Sequence, residues 1–433
     1  MPSGFDLSKQ DATDDPRIVT KRYLYNGEFY DICKYDKDLL THDDCHGAGR
    51  YRSVVFKGQE LVVVSPSKSL QFQAFVEKHP LDTTVVSEEI VEGTMINLFL
   101  NPDVDDEGRA VKDANGALAG KVDIATRSTV GANVSFYQDD GAPTFRRMFL
   151  EACNEADFDF DHLRFSDNEG TYCYSLVLQH PANRIVKPIT KSSVHLVALC
   201  RISHKLGGEG EQDYSITNMD YRDEATRGYL GLDKCRLSYP TRVEYDSYER
   251  AKADCDGMGM DYPIPGVMFH SAETGDRCKC RNGAYEEVRC LRGNQPRLQY
   301  QYLVLRQKGK VKEFLKYYPE KAKECASHRR LVHNFTQSLH ANYTACYVRK
   351  ERPLLEFPKQ HRGHMYKLHQ LYIQRYRAKK GYIGMAVVLD YVNTMPVSHL
   401  MHALNYNLKR RHAETTANSL VNERESHSPE AQV

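Results

Sequence analysis

The stretch "EEIVEGTMINLFLN", Glu88 to Asn101, sets the tightest limit on how this chain folds. An acidic residue and a glycine, Glu92-Gly93, stand between two runs rich in β-branched and apolar residues, 83–91 and 94–100. Such runs read as strands, and a glycine between them supplies the backbone freedom of a bend. The expectation is a β-hairpin with Glu92-Gly93 at its tip.

The surrounding texture agrees with a β-rich N-terminal half. Ser53–Phe56 and "ELVVVSP" alternate around a Lys57-Gly58 turn, and "KVDIATRSTV", "YCYSLVLQ" and "HLVALCRI" read as further strands. "KSLQFQAFVEK" and "SYERAKADCDG" read as short helices. In "TFRRMFLEAC" the spacing places Phe145, Met148, Phe149 and Ala152 on one helical face. "NPDVDDEGRAVKDANGALAG" and "KLGGEGEQD" are loops by composition, and the latter lacks the Gly-Lys-Ser/Thr of a P-loop. The first fifteen residues read as a mobile leader.

From "QYQYLVLRQKGKVKEFLKYYPEK" onward the period turns helical. Val311, Phe314 and Leu315 form one apolar face, and Met365, Leu368, Leu371 and Tyr372 form another. Opposite the second lie Lys367, Arg375, Arg377, Lys379 and Lys380. The net charge of +1 conceals this asymmetry: from Arg297 to Arg411 there are roughly two dozen Lys and Arg against about half a dozen Asp and Glu. A helical bundle with merely solvated charge accounts for that pattern. So does a surface for RNA or DNA, on which cations neutralise phosphates and interleaved tyrosines stack on bases. The tail from 413 to 433 is polar enough to be disordered.

At 433 residues the chain accommodates two or three domains. It has no apolar run near the roughly 20 residues of a membrane span and no apolar signal core, so the expectation is an intracellular protein. Twelve scattered cysteines suit free thiols in such a chain. Neither Cys255, Cys278, Cys280 and Cys290 nor His42, Cys45 and His46 follows a regular zinc spacing. His361, His364 and His369 are also spaced poorly for one metal, because His364 and His369 diverge on a helix. No metal site is expected.

Five local segments, in order, resemble the RNA ligases of the covalent nucleotidyltransferase superfamily. The likeness is to the phage T4 RNA ligase 1-like branch and to RNA-ligase-like proteins of large eukaryotic DNA viruses, over about residues 50–285. The segments are "RYRSVVF", "EEIVEGT", "IATRST", "YCYSLVLQHPANRIV", and the pair "GVMFHS" and "KCRNGAY". The resemblance implies an α+β fold: an antiparallel-rich, ATP-grasp-like adenylation core at 16–292 and a basic all-helical domain at 293–412. It implies nucleotide- or phosphate-binding roles for Arg52, Glu92, Gly93, Arg127, Lys279 and Arg281.

The same resemblance breaks at the chemistry. Family members attack the ATP α-phosphate with a lysine amine, and the matching position here is Ile90. Ser175 and Pro265 replace two carboxylates that hold ribose and metal. Lys121 and Lys252 have Lys-x-Asp spacing without the following glycine, which leaves both poor substitutes. The implied protein is a catalytically inactive relative that binds nucleic acid, or ATP or GTP without turnover, or scaffolds a viral assembly with viral protein partners. It would work in the cytoplasm, the virus factory or the virion. The alternatives are an active ligase with an unrecognised lysine and a structural virion component.

Overall fold

The computed structural model describes residues 3–41, 43–103, 105, 111–114, 116–136, 141–205, 213–257 and 260–407. The segment 206–212 and the tail 413–433, read as a loop and as disordered, lie outside the described residues. The chain divides into two compact units between Cys290 and Leu291. Its architecture is mixed helix and antiparallel sheet.

In chain order the strands are β1 (Gly4–Ser8), β2 (Ile18–Tyr25), β3 (Glu28–Tyr35), β4 (Val54–Lys57) and β5 (Glu60–Val64). Next come β6 (Val85–Glu89), β7 (Thr94–Pro102), β8 (Gly120–Thr126), β9 (Ser166–Asp167) and β10 (Gly170–Gln179). The last are β11 (Ser193–His204), β12 (Asp213–Asn218), β13 (Gly266–Ser271) and β14 (Arg277–Arg281). A seven-stranded sheet runs β1-β12-β11-β10-β7-β8 with β9 attached to β10; a second runs β2-β3-β4-β5; a third runs β14-β13-β6.

Two expectations fail here. The strands flanking Glu92-Gly93 do not form a hairpin: β6 pairs with β13 in the three-stranded sheet, and β7 pairs with β8 and β10 in the seven-stranded one. The bend therefore carries the chain from one sheet to the other. Local alternation fixes which face a residue takes, but not which strand pairs with it. Residues 4–14, expected as part of a mobile leader, are ordered. Phe5 and Leu7 alternate in β1, which pairs with β12 along its whole length, and Leu7 is buried in the core. Ser8 then caps the helix Lys9–Asp14 through the Asp11 N–H.

One face of the seven-stranded sheet supplies Phe99, Ala125, Cys173 and Cys200 to a core shared with Ile32, Val54 and Val63 of the four-stranded sheet. The other face packs Ile96, Leu98, Tyr174 and Leu176 against the helix Phe145–Ala156, whose buried residues are Met148, Phe149, Ala152 and Cys153. The three-stranded sheet turns Val267, Phe269, Cys278 and Cys280 toward the helices Phe72–Lys78 and Tyr248–Asp256. Cysteine thus serves as a small apolar residue in all three cores. All twelve cysteines are free thiols.

The second unit is helical among its described residues. The helix Ala322–Tyr343 buries Val332, Phe335 and Leu339, and the helix Lys359–Leu371 buries Met365 and Leu368. Of the expected stripes, Phe314, Met365 and Leu368 are buried, while Val311, Leu315, Leu371 and Tyr372 are only half-buried. His361 is buried and bonded to Asn342, and His364 bonds the Tyr391 hydroxyl. His369 stacks on Tyr347 with ring centres 4.0 Å apart. No helix among the described residues is long and apolar enough to cross a membrane.

Candidate functional site

The sequence "RCKCR" of β14 alternates charge and thiol, and a strand sends successive side chains to opposite faces. Cys278 and Cys280 enter the core, so Arg277, Lys279 and Arg281 share the other face. Across the sheet the register runs Lys279–Met268–Glu88, and one step toward the strand end Arg281 pairs with Gly266. The Ile90 N–H continues this ladder by donating to the Gly266 carbonyl at 2.9 Å. Two-residue alternation puts Ile90 on the Glu88 face, at the position that the resemblance gives to a nucleophile.

Four of the nominated cations, Arg52, Arg127, Lys279 and Arg281, come together at this end, and Arg277 joins them. Arg52 precedes β4 and Arg127 follows β8, so three separate sheets contribute to one cluster. The Arg127 Nε–H donates to the Arg52 carbonyl, and its guanidinium lies over the Tyr35 ring. Arg277 donates to the carbonyl oxygens of Pro66 and Ser67. Arg281 is ion-paired with Glu286 at the exposed rim, and Glu286 also holds Arg289. The Arg52 guanidinium and Lys279 ammonium have no hydrogen-bond or ion-pair partner among the described residues.

That arrangement is costly for a lysine. Burial, followed by the charges of Arg52, Arg277, Arg281 and Arg127, pushes the Lys279 ammonium down to about 7. Burial likewise lowers the Arg52 pKa, with Arg127 and Arg281 adding to the effect. A guanidinium keeps its proton far above neutrality, so lysine is the member of the cluster that yields one.

Of the five cations Arg277 alone also lines a cavity of about 580 Å³ between the seven- and three-stranded sheets. Val64, Ser65, Ser175, Glu88 and His270 are among its walls. The Ser175 hydroxyl donates to Asn97 Oδ1 at 2.7 Å, and Asn97 Nδ2 donates to Ser65 Oγ at 3.0 Å. A neutral hydrogen-bonded row thus stands where the resemblance places a carboxylate. Glu88 is buried against Arg222 at 2.6 Å, and the Tyr221 hydroxyl donates to it. Burial and the nearby cations hold the His270 imidazole neutral, at about 3.

Glu92 and Gly93, given a nucleotide-binding role by the resemblance, are engaged within the protein itself. The buried Glu92 carboxylate accepts the backbone N–H groups of Val186 and Lys187 at 3.0–3.1 Å, and the Tyr285 hydroxyl also bonds it. A Cβ on Gly93 would meet the Leu178 carbonyl oxygen at 2.3 Å. Glu92 ties the chain entering β7 to the connection between β10 and β11, where Asn183 also donates to Thr94 Oγ1, and Gly93 lies against β10.

The remaining candidates are elsewhere. Lys121 is exposed in β8, and Lys252 is bonded to Asp256 at 2.6 Å, which raises its pKa and makes its amine a poorer nucleophile. Lys367, Arg375, Arg377, Lys379 and Lys380, in the second unit, are all exposed. None of them forms an ion pair among the described residues. Sequence reasoning missed Arg277, although the charge alternation of "RCKCR" placed it beside Lys279.

No family model matches the chain, and no curated protein matches it in sequence. Among the solved structures that resemble it are two variants of Naegleria gruberi RNA ligase with ATP and Mn. A lysine-to-alanine variant gives a TM-score of 0.33 at 8% identity, covering 67% of this chain and 84% of that one. An arginine-to-alanine variant gives 0.32 at 8% identity, covering 66% and 84%. A likeness this slight names neither a family nor an activity for this chain.

Proposed function

We propose that the chain is an RNA-ligase-like protein that holds the phosphate groups of a nucleotide or nucleic acid in its cleft without transferring a nucleotide from position 90. The observation that supports this most is the unpartnered pair Arg52 and Lys279, ringed by Arg127, Arg277 and Arg281. Cations gathered from three sheets repel one another, and a bound polyanion relieves that repulsion. Ile90 has no amine, and Ser175 and Pro265 offer no carboxylate to a divalent ion. ATP or GTP would therefore bind without turnover at this position. In the second unit the exposed cations Lys367, Arg375, Arg377, Lys379 and Lys380 suit an RNA or DNA backbone.

Titration with ATP and with a 5′-phosphorylated RNA oligomer tests this reading. Arg52→Ala combined with Lys279→Ala should weaken binding of at least one ligand by tenfold or more. Unchanged affinity for both would sink it. A structural role in a larger assembly, viral or otherwise, predicts no phosphate affinity, so the same titration separates the two.

A second reading is favoured by one observation. An amine held at about 7 is partly unprotonated at neutral pH, the condition that nucleophilic lysines require. Lys279 would attack the α-phosphorus of ATP, forming an N–P bond as pyrophosphate leaves and the amine gives up a proton. Incubation with labelled ATP or GTP and Mg²⁺ or Mn²⁺ should then give an acid-labile adduct that Lys279→Ala abolishes. Absence of any adduct leaves the binding role.

A further inference from the structure

We propose that the cleft takes up its phosphate anion together with a proton, which the Lys279 amine accepts. The inference rests on the phosphate-binding role of the cleft and adds how that binding is regulated.

The geometry leaves few other destinations for a proton. On its own strand Lys279 is flanked on the same face by Arg277 and Arg281. Arg52 faces it from the segment before β4 and Arg127 from the turn after β8. Across the sheet its neighbour is Met268, with Glu88 one strand further. Glu88 is committed to Arg222, and Glu286 on the following helix is shared by Arg281 and Arg289. Glu92 is occupied by backbone N–H groups. The Tyr35 hydroxyl faces Arg52 and Arg277. His270 lies on the same sheet face but is neutral, with its pKa at about 3, and stays so near pH 7.

Four guanidinium groups therefore surround one amine, and among the described residues only Arg281 of the four is paired with a carboxylate, that of Glu286. The empty cleft favours the neutral amine, because expelling that proton removes a fifth like charge. A phosphate oxygen beside the amine reverses the balance. Its charge favours the ammonium, and the three N–H donors of that form suit a phosphate. At pH 7 about half the empty molecules would hold the neutral amine, so binding would draw about half a proton per site from solution. Affinity for an anion of fixed charge would then fall on the order of tenfold between pH 6 and pH 8.

Calorimetric titration with tripolyphosphate at pH 7, in buffers of low and high ionisation enthalpy, reads the proton directly. In the intact chain the apparent enthalpy should depend on the buffer. In Lys279→Arg, which keeps its charge at every working pH, binding should persist with that dependence reduced by about half a proton. Equal dependence in the two proteins would place the proton elsewhere and overturn the inference while leaving phosphate binding intact. No binding by the intact chain in any buffer would overturn both. A second measurement needs no variant: the affinity for sulfate, which does not titrate between pH 6 and 8, should fall across that range. A flat profile overturns the inference.

Discussion

Glu92 and Val186, 94 residues apart in the chain, are joined by a hydrogen bond of 3.0 Å from the Val186 N–H to the Glu92 carboxylate. The same carboxylate accepts the Lys187 N–H, and Gln179 Nε2 donates to the Glu92 carbonyl. The acidic-glycine bend is therefore a clasp. It fixes the point where the chain leaves the three-stranded sheet for the seven-stranded one.

If that clasp is structural, Glu92→Ala strands the buried Val186 N–H and the part-buried Lys187 N–H. Each unsatisfied buried polar group costs about 1–3 kcal/mol, so the variant should lose several kcal/mol. Glu92→Gln, which keeps one acceptor oxygen, should lose less. Unfolding midpoints in urea check the order. A Glu92→Ala variant as stable as the parent, but unable to bind ATP, would return Glu92 to the ligand.

Gly93 gives a sharper steric test. A methyl group there would sit 2.3 Å from the Leu178 carbonyl oxygen and 2.6 Å from Val177 Cγ1. Gly93→Ala should therefore misfold or unfold well below the parent's temperature. At Gly58, in the β4–β5 turn, an added Cβ meets nothing within 4 Å, and only the positive φ of 59° opposes it. Gly58→Ala should cost about 1 kcal/mol. Thermal melts of the two variants side by side give the comparison.

Lys279 should make stability rise with pH. Its folded pKa of about 7 lies below the ordinary lysine value near 10.4, so between these the unfolded chain binds more protons. The penalty is full below pH 7 and fades toward pH 10. Lys279→Met removes the penalty, so it should melt higher than the parent at pH 6, with the gap narrowing at pH 9. A gap that widens with pH would refute the assignment.

Lys367, Arg375, Arg377, Lys379 and Lys380 are exposed and lie outside the core, so replacing all five with Ala should leave the fold's helicity unchanged. If they engage a nucleic-acid backbone, the slope of log affinity against log salt should become shallower by about 0.7–0.9 for each phosphate that the variant no longer neutralises. An unchanged slope in filter-binding across a salt series would place the nucleic acid elsewhere.

The sequence by itself determined the local elements and the faces of their residues. The buried Met148, Phe149 and Ala152 follow from helical spacing, and the shared face of Arg277, Lys279 and Arg281 follows from the two-residue strand repeat. The resemblance also picked out Arg52, Arg127 and Lys279, which the fold brings together. Only the tertiary structure decided that the strands around Glu92-Gly93 join different sheets, that residues 4–8 close a sheet edge, and that Glu92 is consumed as a backbone acceptor. Those outcomes depend on partners far along the chain, such as β13, β12 and Val186. Side-chain alternation is a local property of the backbone, whereas strand pairing and the burial of a carboxylate are settled by which distant groups compete for the same hydrogen bonds.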